Sequence, residues 1–328
     1  MIVRLELYEE AGKAVGREFP YPETKYREGS GMHSESYGVR GKAMKVLGAF
    51  LPVLAIGSSL CVGPARAQNG GDLAKQSQNP LGTVISLPFE NNLLFNIGPS
   101  EKTGYVLNMK PVYPVRIGDW NMINRFVVPV LYSEGQDAPV PPPADFDLGY
   151  GSVNLDKVTG SALGLGDITW QPFFGPANPG KVIWGVAPVL VMPTATNDRY
   201  ASDKWSAGVG AVGLTMPGKW VIGVLAQNVW SFAGKSSAPD VNKFLFQYFV
   251  NYNLDDGWYL TSTPVITANW DASSGNKWTV PFGGGAGRLV RFGKQPVDFK
   301  LAAYWNAERP ANAPNWSLQF QVKFLFPK

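Results

Sequence analysis

The 328-residue chain contains one cysteine, one histidine and only 16% charged residues. A disulfide framework needs at least one cysteine pair, so that class is excluded. Cys61 and His33 both fall in the first 67 residues, and the stretch from Gln68 onward has neither. Ser–His and Cys–His nucleophile pairs, and zinc sites built on His or Cys, are therefore closed to that larger part. A basic surface is missing too. Setting aside the nine basic and seven acidic residues before Gln68 leaves 20 and 18, which gives no nucleic-acid footprint. Beyond residue 67 no run approaches the roughly 18 apolar residues of a membrane helix.

What is present begins with a leader. From Met44 the chain reads MKVLGAFLPVLAIGSSLCVGPARAQ, with Lys45 as a positive start, an apolar stretch from Val46 to Gly57, and Ala65-Arg66-Ala67 as a small-x-small cleavage site. This is the layout of a secretory signal peptide. A retained anchor over Val46 to Ala65 is the competing reading, and Pro52, Pro64 and the serines at 58 and 59 weigh against it. A lipoprotein at Cys61 would need a small residue where Leu60 stands. Residues 1–43 carry seven basic and seven acidic residues without apolar periodicity. The expected organisation is an upstream extension over 1–43, a signal peptide over 44–67, a periplasmic N-terminal segment over 68–83 and an all-β domain over 84–328.

That domain repeats one pattern: a segment of alternating character, then a connection. Trp316, Leu318, Phe320, Val322, Phe324 and Phe326 share one face, and Ser317, Gln319, Gln321 and Lys323 the other. Phe244, Phe246, Tyr248, Val250 and Tyr252 alternate in the same way with Lys243, Gln247, Asn251 and Asn253. A period of two means a strand with one greasy and one wet face. Twelve such segments start near residues 84, 103, 119, 164, 181, 204, 219, 242, 257, 277, 296 and 315. Residues 182–193 and the Gly283-Gly284-Gly285 region alternate poorly, and Arg288 and Arg291 take no clear face. Short turns such as Met216-Pro217-Gly218-Lys219 interleave with longer polar connections, the longest near 133–163. An even number of strands with short turns on one side and long loops on the other predicts a closed antiparallel transmembrane β-barrel of the outer-membrane kind.

Aromatic spacing supports this. Trp120, Trp220 and Trp258 each open a strand after a short turn, and Tyr132, Trp230 and Trp270 follow 12, 10 and 12 residues later. Even spacings put each pair on one face. At about 3.3 Å per residue and a tilt of roughly 40°, the pairs lie on the order of 25 to 30 Å apart along the membrane normal, the height of the apolar band between two aromatic girdles. A soluble sandwich core is the competing reading, but its strands usually run to about five or six residues.

Further matches then point to a family. Asp72-Leu-Ala-Lys-Gln-Ser-Gln-Asn-Pro-Leu, Ile85-Ser-Leu-Pro-Phe-Glu-Asn-Asn, Phe95-Asn-Ile-Gly-Pro, Pro111-Val-Tyr-Pro-Val-Arg, Trp120-Asn-Met-Ile-Asn-Arg and Gly166-Asp-Ile-Thr-Trp-Gln-Pro-Phe-Phe stand in order along residues 70–180. In these the chain resembles the meta-pathway phenol-degradation family of outer-membrane proteins, whose members are often labelled as transporters or as neuromedin U. The resemblance implies a Gram-negative outer-membrane barrel that passes aromatic or other hydrophobic compounds, and it carries no catalytic residues. One departure is the terminus, where Phe326 is followed by Pro327-Lys328 although outer-membrane strands commonly finish on an aromatic.

The inward face holds the candidate site. Lys110, Arg116, Arg125, Lys300 and Lys323 are expected to line the lumen with Asp167, Asp298, Gln247, Asn251, Gln319 and Gln321. On the lipid side such charges would each cost about 2 to 4 kcal/mol at mid-depth. Twelve strands fall between the roughly eight that side chains can fill and the sixteen or so that open an aqueous channel, so a filled interior and a conducting one both fit. Asp255-Asp256, the adjacent acidic pair of the domain, falls in a short turn and reads as solvated turn chemistry. Gly283 to Gly287 lacks the lysine and helix of a phosphate loop and reads as a bulge or close-packed bend in a strand. The sequence thus predicts a non-enzymatic barrel without cofactor or metal. Its partners would be the lipid bilayer, the outer-membrane assembly machinery and a small-molecule solute.

Overall fold

The computed structural model describes residues 70–140, 145–149, 151–157 and 159–327, so the expected extension and signal peptide lie outside the described residues. A short helix, α1 (Gly70–Ser77), precedes the strands. The first half of the wall is β1 (Ile85–Ile97), β2 (Lys102–Met109) continued by β3 (Val112–Ile117), β4 (Trp120–Ser133), β7 (Ala162–Leu165) continued by β8 (Ile168–Pro176), β9 (Val182–Met192) and β10 (Lys204–Thr215). The second half is β11 (Trp220–Gly234), β12 (Asn242–Asn253), β13 (Trp258–Ser262) continued by β14 (Val265–Asn269), β15 (Trp278–Phe292), β16 (Gln295–Glu308) and β17 (Trp316–Phe326). A small hairpin, β5 (Asp145–Asp147) and β6 (Ser152–Asn154), sits in the longest loop.

Counting each continued pair once gives twelve crossings, all antiparallel, and they begin within two residues of the twelve starts read from the sequence. Two of the breaks occur where Pro111 and Pro264 cannot donate to the ladder, and a third at Gly166-Asp167. The last strand returns to the first, with β17 paired to β1 from Ile85↔Phe326 to Phe95↔Trp316. That pairing closes the sheet, removes its edges and puts both ends of the wall on the short-turn side.

Alternation sorts the two faces. Ten of the eleven tryptophans are strongly exposed on the outer surface, Trp120, Trp220 and Trp258 near the short turns and Trp230 and Trp270 near the long loops. Tyr132 shares its outward face with Trp120, twelve residues along β4. Trp184 edges against Trp120 at 6.1 Å, and Phe95 stacks on Trp316 at 4.0 Å, so both belts are wider than the spacing arithmetic found.

The two segments that alternated poorly have physical reasons. In β9, Trp184 and Val186 point out while Gly185, Ala187 and Val189 are buried inward, so both faces are apolar and period two is invisible in composition. In β15, a Cβ on Gly285 would come within 1.9 Å of the Leu301 carbonyl oxygen, and one on Gly287 within 2.2 Å of the Tyr259 ring. The glycines let β16 and Tyr259 pack against the strand backbone, while the register runs unbroken from Pro281 to Phe292 and shifts only between Val280 and Pro281. Arg288 lies on the outer side, its guanidinium 5.0 Å from the Trp258 ring centroid.

Candidate functional site: the barrel interior

The interior has two unlike walls. On one side, Ile123, Val127, Phe173, Val221, Leu225 and Phe249 from β4, β8, β11 and β12 form an apolar cluster. On the other, register places polar residues in level rows: Asn108, Glu90, Gln321 and Lys300 are neighbours across β2, β1, β17 and β16, and Pro88, Lys323 and Asp298 form the next row down. The sequence predicted the polar wall. It did not predict the apolar one, because an inward Val or Phe reads the same in sequence as an outward one.

Both ends of the interior are occupied. At the short-turn end, Leu73 and Ala74 of α1 pack with Leu289 and Leu325, and Leu81 joins the apolar wall beside Ile123 and Phe173. Gln78 and Asn253 exchange amide hydrogen bonds of 2.9 and 3.1 Å, Lys75 Nζ donates to the Gly218 carbonyl at 2.7 Å, and Lys323 Nζ donates to the Ser77 carbonyl. The segment expected to lie in the periplasm over 68–83 is therefore, in its described part, seated in the mouth of the barrel.

At the other end the long loop folds inward. Val153 and Leu155 are buried against Leu94, Val106 and Leu131, and a Cβ on Gly149 would come within 2.8 Å of Val265. Arg199, 1% exposed, holds this loop to the rim. Its guanidinium donates to Ser133 Oγ and the Gly160 carbonyl, each at 2.9 Å, and burial pushes its pKa below the ordinary guanidinium value. Tyr200 Oη donates to the Ala162 carbonyl at 2.8 Å. Arg199 and Tyr200 sit in a loop without periodicity, so no sequence pattern marked them.

Between the two plugs, cavities run along the axis. One of about 160 Å³ lies above α1, bounded by Lys110, Asp298, Lys300 and Lys323 on the polar side and by Leu225 and Phe249 on the apolar side, where Arg125 of β4 also reaches it with its guanidinium 5.7 Å from the Phe173 ring centroid. Gln247, Asn251 and Gln321 complete its wall. A second of about 100 Å³ shares Glu90, Lys110 and Thr263 with it and extends past Gln319 and Tyr304. Nearer the long loops is a vestibule of about 310 Å³, faced by Ser152, Asn154, Asn269 and Lys277.

Nine of the eleven residues expected in the lumen thus stand on these two cavities, Asp167 stands on a third of about 70 Å³ with Thr169, Gln227 and Thr267, and Arg116 stands elsewhere. Arg116 has the inward parity but the wrong depth: it lies at the short turn, exposed, with Nε donating to the Gly118 carbonyl at 3.1 Å. Asp167 faces its cavity and also anchors a loop, accepting from the Ala195 amide at 3.1 Å and from the Ser202 amide and hydroxyl at 3.0 and 2.5 Å. Parity gives a face and says nothing of height along the axis or of what a loop supplies.

Two residues that the sequence reading did not place in the site dominate its electrostatics. Glu90 accepts from Lys110 at 2.6 Å, with both side chains nearly buried. Tyr259 Oη donates to Asp298 Oδ1 at 2.9 Å, and the Ser77 hydroxyl donates weakly to Oδ2 at 3.4 Å. Both were detectable as inward members of their strands, Glu90 alternating with Phe89 and Asn91, and Tyr259 with Trp258 and Leu260. Because a buried pair stripped of one partner leaves an uncompensated charge, Glu90→Gln is expected to destabilise the barrel by about 3 to 5 kcal/mol. Urea titration of the folded protein in lipid vesicles measures this, and a change below about 1 kcal/mol would mean that Lys110 is solvated without Glu90.

The COG4313 outer membrane channel from Pseudomonas putida F1 matches with a TM-score of 0.55 at 15% identity, over 81% of this chain and all of that one. The fold is that of an outer-membrane β-barrel. Looser matches to this barrel are the CymD monoaromatic hydrocarbon channel, with a TM-score of 0.39 at 8% identity over 81% of this chain and 95% of that one, and outer membrane phospholipase A from Escherichia coli, with a TM-score of 0.37 at 9% identity over 74% and 96%. No protein-family model and no curated protein matches this chain.

Proposed function

We propose that this chain is an outer-membrane channel or transporter for small solutes, with aromatic or hydrophobic compounds as its cargo. The observation that carries this reading is the interior itself: linked cavities faced by charges on one side and by Phe249 and Leu225 on the other. A barrel serving only as a scaffold would gain stability by filling that space with packed side chains. The export signal over 44–67 and the exposed aromatic belts fit delivery to the outer membrane and insertion by the assembly machinery. Residues 68–328 contain no histidine and no cysteine, which supports a non-enzymatic role. Planar-bilayer recordings test the reading: the intact barrel is expected to give small current steps that added aromatic solutes reduce. A barrel with neither current nor solute effect would contradict it.

A second reading has one observation in its favour, the seating of α1 and of the long loop in the two mouths. On that reading the barrel is permanently plugged and its external surface recruits partners. Permanent plugging predicts no current under any condition, including after removal of the N-terminal segment.

A further inference from the structure

The charges of the 160 Å³ cavity do not cancel. Its wall carries Lys110, Arg125, Lys300 and Lys323 against Glu90 and Asp298, a formal surplus of two positive charges. Both carboxylates are already engaged, Glu90 by Lys110 and Asp298 by the Tyr259 and Ser77 hydroxyls. Lys300 is only 8% exposed, yet among the described residues its ammonium has no hydrogen bond and no carboxylate within 4.0 Å. Arg125 Nη1 and the Thr261 hydroxyl, on the same cavity, are buried without partners. Glu90 and Asp298 attract the Lys300 ammonium only from beyond ion-pair distance and are shared with Lys110 and Lys323. A buried cation so weakly compensated, facing one space with other unsatisfied donors, forms a receptor for an anion.

The opposite wall limits which anion. Phe249 and Leu225, on β12 and β11, face the cavity and offer nothing to a second charge. For scale, an apolar protein cavity of about 150 Å³ is known to accept a benzene ring. A space of about 160 Å³ that Lys300, Arg125 and Thr261 supply with donors and Phe249 and Leu225 with an apolar surface therefore suits a molecule with one charged group and a ring-sized apolar body.

We propose that this cavity binds a small monocarboxylate, its carboxylate held by Lys300 and Arg125 with Thr261 as a further donor, and its hydrocarbon body laid against Phe249 and Leu225. The proposal deepens the channel reading by naming a class of cargo, but the binding site itself stands without any conductance.

Calorimetric titration of the intact folded barrel in detergent micelles tests it, with benzoate and cyclohexanecarboxylate as probes and benzyl alcohol and acetate as controls. Both ring carboxylates are expected to bind at least about tenfold more tightly than either control, because a hydrogen bond to a charged group and an apolar contact are each worth about that much. Lys300→Met is expected to weaken benzoate by about tenfold or more. Asp298→Asn removes an opposing charge and is expected to tighten it, a gain that misfolding cannot produce. No benzoate binding by the intact protein, equal binding of benzyl alcohol, or an unchanged Lys300→Met titration would overturn the proposal. Binding without bilayer current would uphold the site and contradict the channel. Current without carboxylate binding would do the reverse.

Discussion

Deleting residues 70–83 is expected to raise the single-channel current several-fold over that of the intact barrel. This segment occupies the short-turn mouth through Leu73, Ala74 and Leu81, and Lys323, Asn253 and the Gly218 carbonyl tie it to the wall. Each neutral hydrogen bond of this kind is worth about 0.5 to 1.5 kcal/mol, so Gln78→Ala, which loses the paired amides, is a milder form of the same experiment and should raise the frequency of brief openings. The wall strands pair with one another and not with the segment, so the deletion leaves the sheet closed. Retention of the folded band on unheated electrophoresis checks that the variant is still a barrel. An unchanged current in a folded variant would mean that the long loop alone sets the resistance.

The second large effect concerns the outside. Leu301 is 54% exposed near the middle of β16, between the two aromatic belts. Leu301→Arg is expected to cost about 2 to 4 kcal/mol of folding free energy in lipid vesicles, whereas Ala307→Arg, on the same face near the rim of the strand, should cost about 1 kcal/mol or less. The depth dependence is the informative part. Equal, small costs at both positions would mean that this face meets water.

How much of this was legible in the sequence differs by face. The outer surface was readable because Phe244 to Tyr252 and Trp316 to Phe326 each repeat an apolar residue every second position against polar neighbours, and lipid accepts no exception at mid-depth. The interior accepts both kinds of residue, so Phe173 and Leu225 carried no inward signal and half of the lumen wall was missed. Lys300 and Lys323 line an internal cavity, the one direction tolerable for a lysine between apolar neighbours. Arg116 obeyed the same rule and still fell outside the cavities, since the rule fixes direction only. The seating of α1 was illegible for another reason. A polar eight-residue helix reads as a linker, and its docking depends on Leu289, Leu325 and Asn253, more than 170 residues away in sequence.

The central claim is a barrel with lipid outside and a solute-accessible chamber within, and the lack of cysteine after residue 67 makes it directly measurable. Single cysteines placed in turn at residues 297 to 305 of β16, in the chain from Gln68 folded into lipid vesicles, would be scored for quenching by a lipid-phase nitroxide and for reaction with a small water-soluble thiol reagent. The account predicts strict alternation: lipid quenching at 299, 301, 303 and 305, and aqueous reaction at 298, 300 and 302. Loss of alternation would contradict the barrel, and inward positions that react only after unfolding would contradict the chamber.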